Sequence, residues 1–227
     1  MSFKNFLKSL NEGGVEGELF KTLFYSLFTS FLLFGILYYF KLKNIENFFD
    51  KSGFFLFFAI LSYGFLCCSV RQVRAYKNFS CMNGMMIGMT IGMILGFLSG
   101  FFVGATNGMF VGGVFGIVVG IFFGVWKGSC CGIMGVMEGM MAGFMGGLMG
   151  AMSAVMMLND NLKTATIIVF VVCGVILFGL NYMIYFETRE SKREREEDQF
   201  LTIILSFILT IITIYLMVYG PRSFLFG

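Results

Sequence analysis

Sulfur is the first chemistry this sequence offers. It holds 18 methionines and 6 cysteines and no histidine, and fifteen of the methionines fall between Met82 and Met157. Met82, Met85 and Met89, with Met86 and Met93, recur at helical spacing, as do Met134, Met137 and Met141 with Met145, Met149, Met152 and Met156. Thioethers and thiolates select soft ions such as Cu(I). Cys67, Cys68, Cys81, Cys130 and Cys131 all sit at the ends of apolar segments. These residues are the candidate ligands of a soft-metal site. The same residues have plainer uses. Methionine is a flexible filler that suits the gaps beside glycine, and cysteine is a small apolar residue. No CxxC occurs.

Glu138 is the one acidic residue in the same stretch. An ionisable group inside a membrane segment is costly and marks a candidate ion path, with Asn83 as a second polar lining residue. Its structural alternative is an interfacial acid reaching Lys127.

Other chemistries are removed. Without histidine, no Ser-His-Asp triad, Cys-His pair or imidazole metal site can be built from this chain. The net charge of +3 leaves no nucleic-acid footprint. The run Gly124-Val125-Trp126-Lys127-Gly128-Ser129 lacks phosphate-loop spacing. No catalytic pair is visible, and the expectation is that the chain is not an enzyme.

The elements that must position these residues follow from composition. Of the 227 residues, 58% are hydrophobic, 30 are glycine and 13% are charged, with a mean hydropathy of +0.86. So little polar surface cannot cover a soluble domain, so the fold class is an all-α integral membrane protein. A hydrocarbon core about 30 Å thick takes about 20 residues of helix. Seven spans are expected: 19–40, 54–70, 81–103, 108–126, 132–158, 164–186 and 200–219. Residues 81–126 as one helix would be about 69 Å long, so the chain must turn, and Asn107-Gly108 is the best turn text.

Four regions result: an interfacial amphipathic segment over 1–18, a two-helix hairpin over 19–80, a Gly/Met-rich core over 81–158, and a second hairpin over 159–227 with a charged connector at 187–199. Counting Lys and Arg on the two sides gives eleven with the amino terminus against five. That bias implies a cytoplasmic amino terminus, and it sets the first five cysteines on a reducing face where disulfides are disfavoured. Phe, Lys and Asn usage suggests the cytoplasmic membrane of a prokaryote.

The core carries a four-residue repeat. Gly84, Gly88, Gly92, Gly96, Gly100, Gly104, Gly108, Gly112, Gly116, Gly120, Gly124, Gly128 and Gly132 follow without a miss, and after a one-residue slip Gly135, Gly139, Gly143 and Gly147 continue it. In lipid, small residues let helix backbones touch and gain dispersion and Cα–H···O contacts. Spans three to five therefore read as a glycine zipper, within one chain or between subunits, surrounded by the Phe-rich spans.

The block CMNGMMIGMTIGM…GATNGMFVGG…CCGIMGVMEGMMAGFMGGLMGAM (81–152) resembles a glycine- and methionine-rich membrane module of bacterial and archaeal proteins, some with cupredoxin-like domains. That resemblance implies copper or heavy-metal handling, with Met and Cys residues of this block as ligands. This chain departs from it in lacking histidine and a cupredoxin domain. The vicinal cysteine pairs are similar to those of mercuric transport membrane proteins, which are shorter. Three functions are thus expected in competition. One is binding or transport of Cu(I) or a similar ion through a Met/Cys-lined core. The others are a non-catalytic structural or oligomer-forming module, and a small-solute or proton channel at Glu138. The partners expected are the lipid bilayer and a second copy or membrane complex, with no nucleic acid.

Overall fold

A computed structural model describes residues 15–40, 53–75, 80–129, 132–188 and 199–221. They form seven α-helices: α1 (Val15–Phe40), α2 (Phe54–Ala75), α3 (Cys81–Asn107), α4 (Met109–Gly128), α5 (Gly132–Met156), α6 (Leu162–Thr188) and α7 (Gln199–Tyr219). A 3-10 turn (Met157–Asn159) follows α5. No strand occurs among the described residues. Five helices are long and apolar enough to cross a membrane: α2, α3, α4, α5 with its 3-10 turn, and α6. In α1 and α7 the apolar stretches Lys21–Ile36 and Ile203–Tyr219 are shorter. The chain is a multi-pass membrane protein on these grounds.

The helix limits match the hydropathy reading within a few residues, with one correction at the amino end. α1 begins at Val15, inside the segment expected to lie apart at the interface. Residues 1–14 fall outside the described residues, as do 189–198 of the charged connector and Cys130 and Cys131.

α3 is the central helix. One side carries glycines toward α4 and α5. The other buries Ile87, Ile91, Leu95, Leu98 and Phe102 in the core shared with Leu56, Ile60, Tyr63 and Leu66 of α2. Helices α1, α2, α6 and α7 pack together on that second side. They do not surround the glycine-rich helices, as expected from sequence, so the outer faces of α4 and α5 stay exposed. The reason lies on α3. Its large apolar residues give the remaining helices a surface to pack on, and α4 and α5 spend their small residues on α3 and each other.

Several hydroxyls inside the bundle are satisfied locally. Ser99 donates to the Leu95 carbonyl at 2.6 Å, Thr166 to Leu162 at 2.8 Å and Thr210 to Ser206 at 2.7 Å, each one turn back along its own helix. Longer links tie helices together. Tyr63 Oη and Thr213 Oγ1 share a hydrogen bond of 3.1 Å between α2 and α7. Gln72 Nε2 donates to the Asn181 carbonyl at 3.2 Å between α2 and α6.

Candidate functional site

The glycine repeat folds back on itself twice. Asn107 ends α3, and Gly108 turns the chain with φ 107° and ψ 170°, backbone that only glycine adopts without strain. α4 then runs antiparallel to α3 so that their glycines pair symmetrically about Gly108: 88 with 128, 92 with 124, 96 with 120, 100 with 116, and 104 with 112. Gly132, at φ 72°, belongs to the second turn. α5 pairs with α4 symmetrically about the Cys131–Gly132 peptide: 128 with 135, 124 with 139, 120 with 143 and 116 with 147.

Three helices thus contribute one small residue each to five successive layers, the last closed by Ala151 against Gly104. A Cβ added at Gly92 would stand 2.9 Å from Gly124 Cα and 3.1 Å from the Gly139 carbonyl oxygen. At Gly120 it would stand 2.7 Å from the Gly143 oxygen and 2.9 Å from Gly96 Cα. At Gly124 it would strike the Gly139 carbonyl outright. Backbone cannot yield as a flexible side chain can, so each of the four all-glycine layers excludes a methyl group. No space for an ion remains between the layered glycines of the three helices.

The one-residue slip in the repeat now has a physical cause. A hairpin folded about a residue pairs every fourth glycine with every fourth glycine in phase. A hairpin folded about a bond needs its second arm one residue out of phase, which is the offset between Gly132 and Gly135. Gly108 and Gly132, read as rungs of the ladder, are instead the turn residues. Gly146 and Gly150 were missed. They form a second contact line, where an added Cβ would strike the carbonyls of Met93 and Phe97 on α3. The doubled Gly146-Gly147 was the available sign.

This packing decides where the methionines go. Met137, Met141, Met145 and Met149 each follow a layer glycine by two residues, a turn of about 200° around the helix, so they point away from α3 and α4. All four are exposed, Met137 at 59%. Met82, Met89 and Met134 are exposed too, and Met85 is half-buried. The sequence reading had these side chains lining a passage through the core. The inward positions are taken by glycine, and the methionines form an outer surface.

The described cysteines do not gather. Cys67 and Cys68 are buried within α2, which continues to Ala75 rather than ending beside them. Ser26 of α1 and Ser206 of α7 lie against the Cys67 thiol, and Arg71 lies near Cys68. Cys81 is exposed at the start of α3, and Cys173 is buried in α6. Among the described residues no group of three or more His, Cys, Asp or Glu could hold a metal ion. Glu138 is exposed on α5. Lys127, 7% exposed, directs Nζ to the Val70 carbonyl at 3.5 Å and sits 4.4 Å from the Trp126 ring centre. Asn83 hydrogen-bonds Glu187 at the end of α6, and the Ser80 amide donates to the same carboxylate at 2.8 Å. Gly84 is buried on α3.

Gly146 faces Met93 and Gly150 faces Phe97 along parallel helices, so Cys81 and Met134 lie in the first turns of α3 and α5 at the same end of the bundle. No family model, curated protein or solved structure matches the chain.

Proposed function

We propose that the chain is a non-catalytic structural module of the membrane, a seven-span scaffold whose α3, α4 and α5 form an intrachain glycine zipper. One observation carries this reading: four layers of three glycines in backbone-to-backbone contact, each intolerant of a methyl group, with a fifth layer closed by Ala151. Contact at that range maximises dispersion and Cα–H···O attraction where lipid gives little hydrophobic drive. Because the layered glycines meet within one chain, assembly with other proteins must use a different surface. The Lys and Arg bias supports a cytoplasmic amino terminus.

The test is unfolding of the purified chain in detergent. Gly92→Leu and Gly116→Leu should each prevent formation of the compact bundle, and Gly174→Leu, at a site with nothing within 4 Å of an added Cβ, should not. Equal stability for all three would end the proposal.

A second reading, a soft-metal site between the starts of α3 and α5, draws its support from Cys81 and Met134, both exposed in the first turns of these parallel helices. Cu(I) titration of the parent against Cys81→Ser with Met134→Leu separates the two. Equal binding in both removes the metal site.

A further inference from the structure

We propose that the outward face of α5 is the contact surface for a second copy of this chain, the two related by a two-fold axis along the bilayer normal. The inference rests on the reading of α3–α5 as a rigid scaffold. Met134, Glu138, Met141, Met145, Met149 and Met152 advance by three or four residues, so they lie within about 80° of one another around the helix and run about 27 Å along it. All six are exposed. The row is nearly as long as the hydrocarbon core is thick.

The chain supplies its own comparison. The outward face of α6 carries Ile168, Val171, Val172, Val175 and Ile176, all exposed, a stiff β-branched surface of the kind acyl chains accept without specificity. On α5 the corresponding surface is mostly methionine, with Ile133, Phe144 and Leu148 beside the row; methionine is unbranched and polarizable, the side chain that adapts to a facing protein surface. Two outer faces of one molecule in one bilayer thus differ in chemistry.

Glu138 says what covers the methionine face. Lys127 and Glu138 are the two charged residues between Cys81 and Met156. Lys127 is buried against the Val70 carbonyl and the Trp126 ring, whereas Glu138 is exposed in the methionine row, about 9 Å of helix rise beyond Gly132. A carboxylate there needs a hydrogen-bonding group at its own depth. A two-fold axis along the bilayer normal brings one by symmetry, since it sets Glu138 opposite Glu138 at equal depth and methionine opposite methionine along the rest of the row. The two carboxyl groups then meet across the axis as hydrogen-bonding partners. An isologous contact of this kind closes at the dimer.

The experiment uses the full chain in liposomes with its six native cysteines replaced. Met145→Cys is compared with Val175→Cys under mild oxidation, and dimer mass is read without reductant. Met145→Cys should cross-link to the dimer and Val175→Cys should not. Cross-linking that is equal at both positions, or absent at Met145, overturns the proposal, and since no other protein is present, the latter is also the outcome for a heterologous partner. Glu138→Leu should weaken dimerisation about tenfold, the loss of one interhelical hydrogen bond, and Glu138→Gln should retain it. A parent-like Glu138→Leu overturns the carboxyl pairing. A chain that melts normally but stays monomeric overturns the dimer and leaves the scaffold reading standing. Gly92→Leu with parent stability overturns the scaffold.

Discussion

The Asn107 side-chain amide donates to the Leu216 carbonyl across 2.7 Å, joining the first turn of the glycine hairpin to the last turns of α7. Asn107 is 1% exposed, and Thr106 Oγ1 holds its Oδ1 at 2.8 Å. A residue chosen by sequence for its turn chemistry is therefore also a clamp between two parts of the bundle that lie far apart in the chain. Asn107→Ala leaves the turn to Gly108 and removes the clamp. We expect a loss of about 1–2 kcal/mol, read as a lower unfolding midpoint in detergent. The Leu216 carbonyl keeps the Gly220 amide at 2.8 Å, so a midpoint equal to the parent's would show that the clamp adds no stability.

Glycine substitutions should divide by position. Gly120→Ala places a methyl group 2.7 Å from the Gly143 oxygen and should cost about 1–3 kcal/mol, as overpacking does. Gly179→Ala meets nothing within 4 Å and should raise stability by up to about 1 kcal/mol through helix propensity. Thermal unfolding of the two variants beside the parent checks this. The same sign for both would mean that propensity, not approach distance, governs these helices.

Tyr63→Phe removes the hydroxyl shared with Thr213 and keeps the ring in its buried place on α2. Thr213 retains its own bond to the Leu209 carbonyl at 2.7 Å, so no orphaned group is left behind. The expected loss is about 0.6 kcal/mol, the average for interhelical hydrogen bonds in a membrane protein. A double-mutant cycle with Thr213→Val measures it, and a coupling of zero would make the contact incidental.

On the scaffold reading, copper-supplemented protein should carry no more metal than a variant with all six cysteines replaced by serine, as measured by elemental analysis. Near-stoichiometric copper lost in that variant would instead promote the soft-metal reading.

Much of the architecture was legible because the bilayer reduces the problem to length and turn chemistry. The ends of α3 and α4 followed from the length limit and the Asn107-Gly108 text, and α2, α5, α6 and α7 lay within a few residues of the hydropathy reading. What the methionines face was not legible. A stripe at helical spacing has the same spacing whether it points in or out, and the direction depended on which side of α5 the glycines took. The direction of the described cysteines was hidden for a related reason. Connectivity places Cys67 and Cys81 toward the same end of the bundle, but Cys67 turns toward Ser26 and Ser206 while Cys81 is exposed. The Tyr63–Thr213 and Gln72–Asn181 links join residues more than 100 positions apart, and no local pattern announces such pairs.

The reflection of α5 about a peptide bond makes this molecule count its own residues. Most connections between helices gain or lose a residue at little cost, because the loop absorbs the change. At the turn before Gly132 only three residues separate the end of α4 from the start of α5. An inserted residue carried into α5 would rotate its glycines about 100° away from α4 and bring Cβ-bearing neighbours into layers that cannot admit a methyl group. Changes in chain length should therefore be forbidden at that turn, a constraint on how this sequence can diverge that acts through spacing alone.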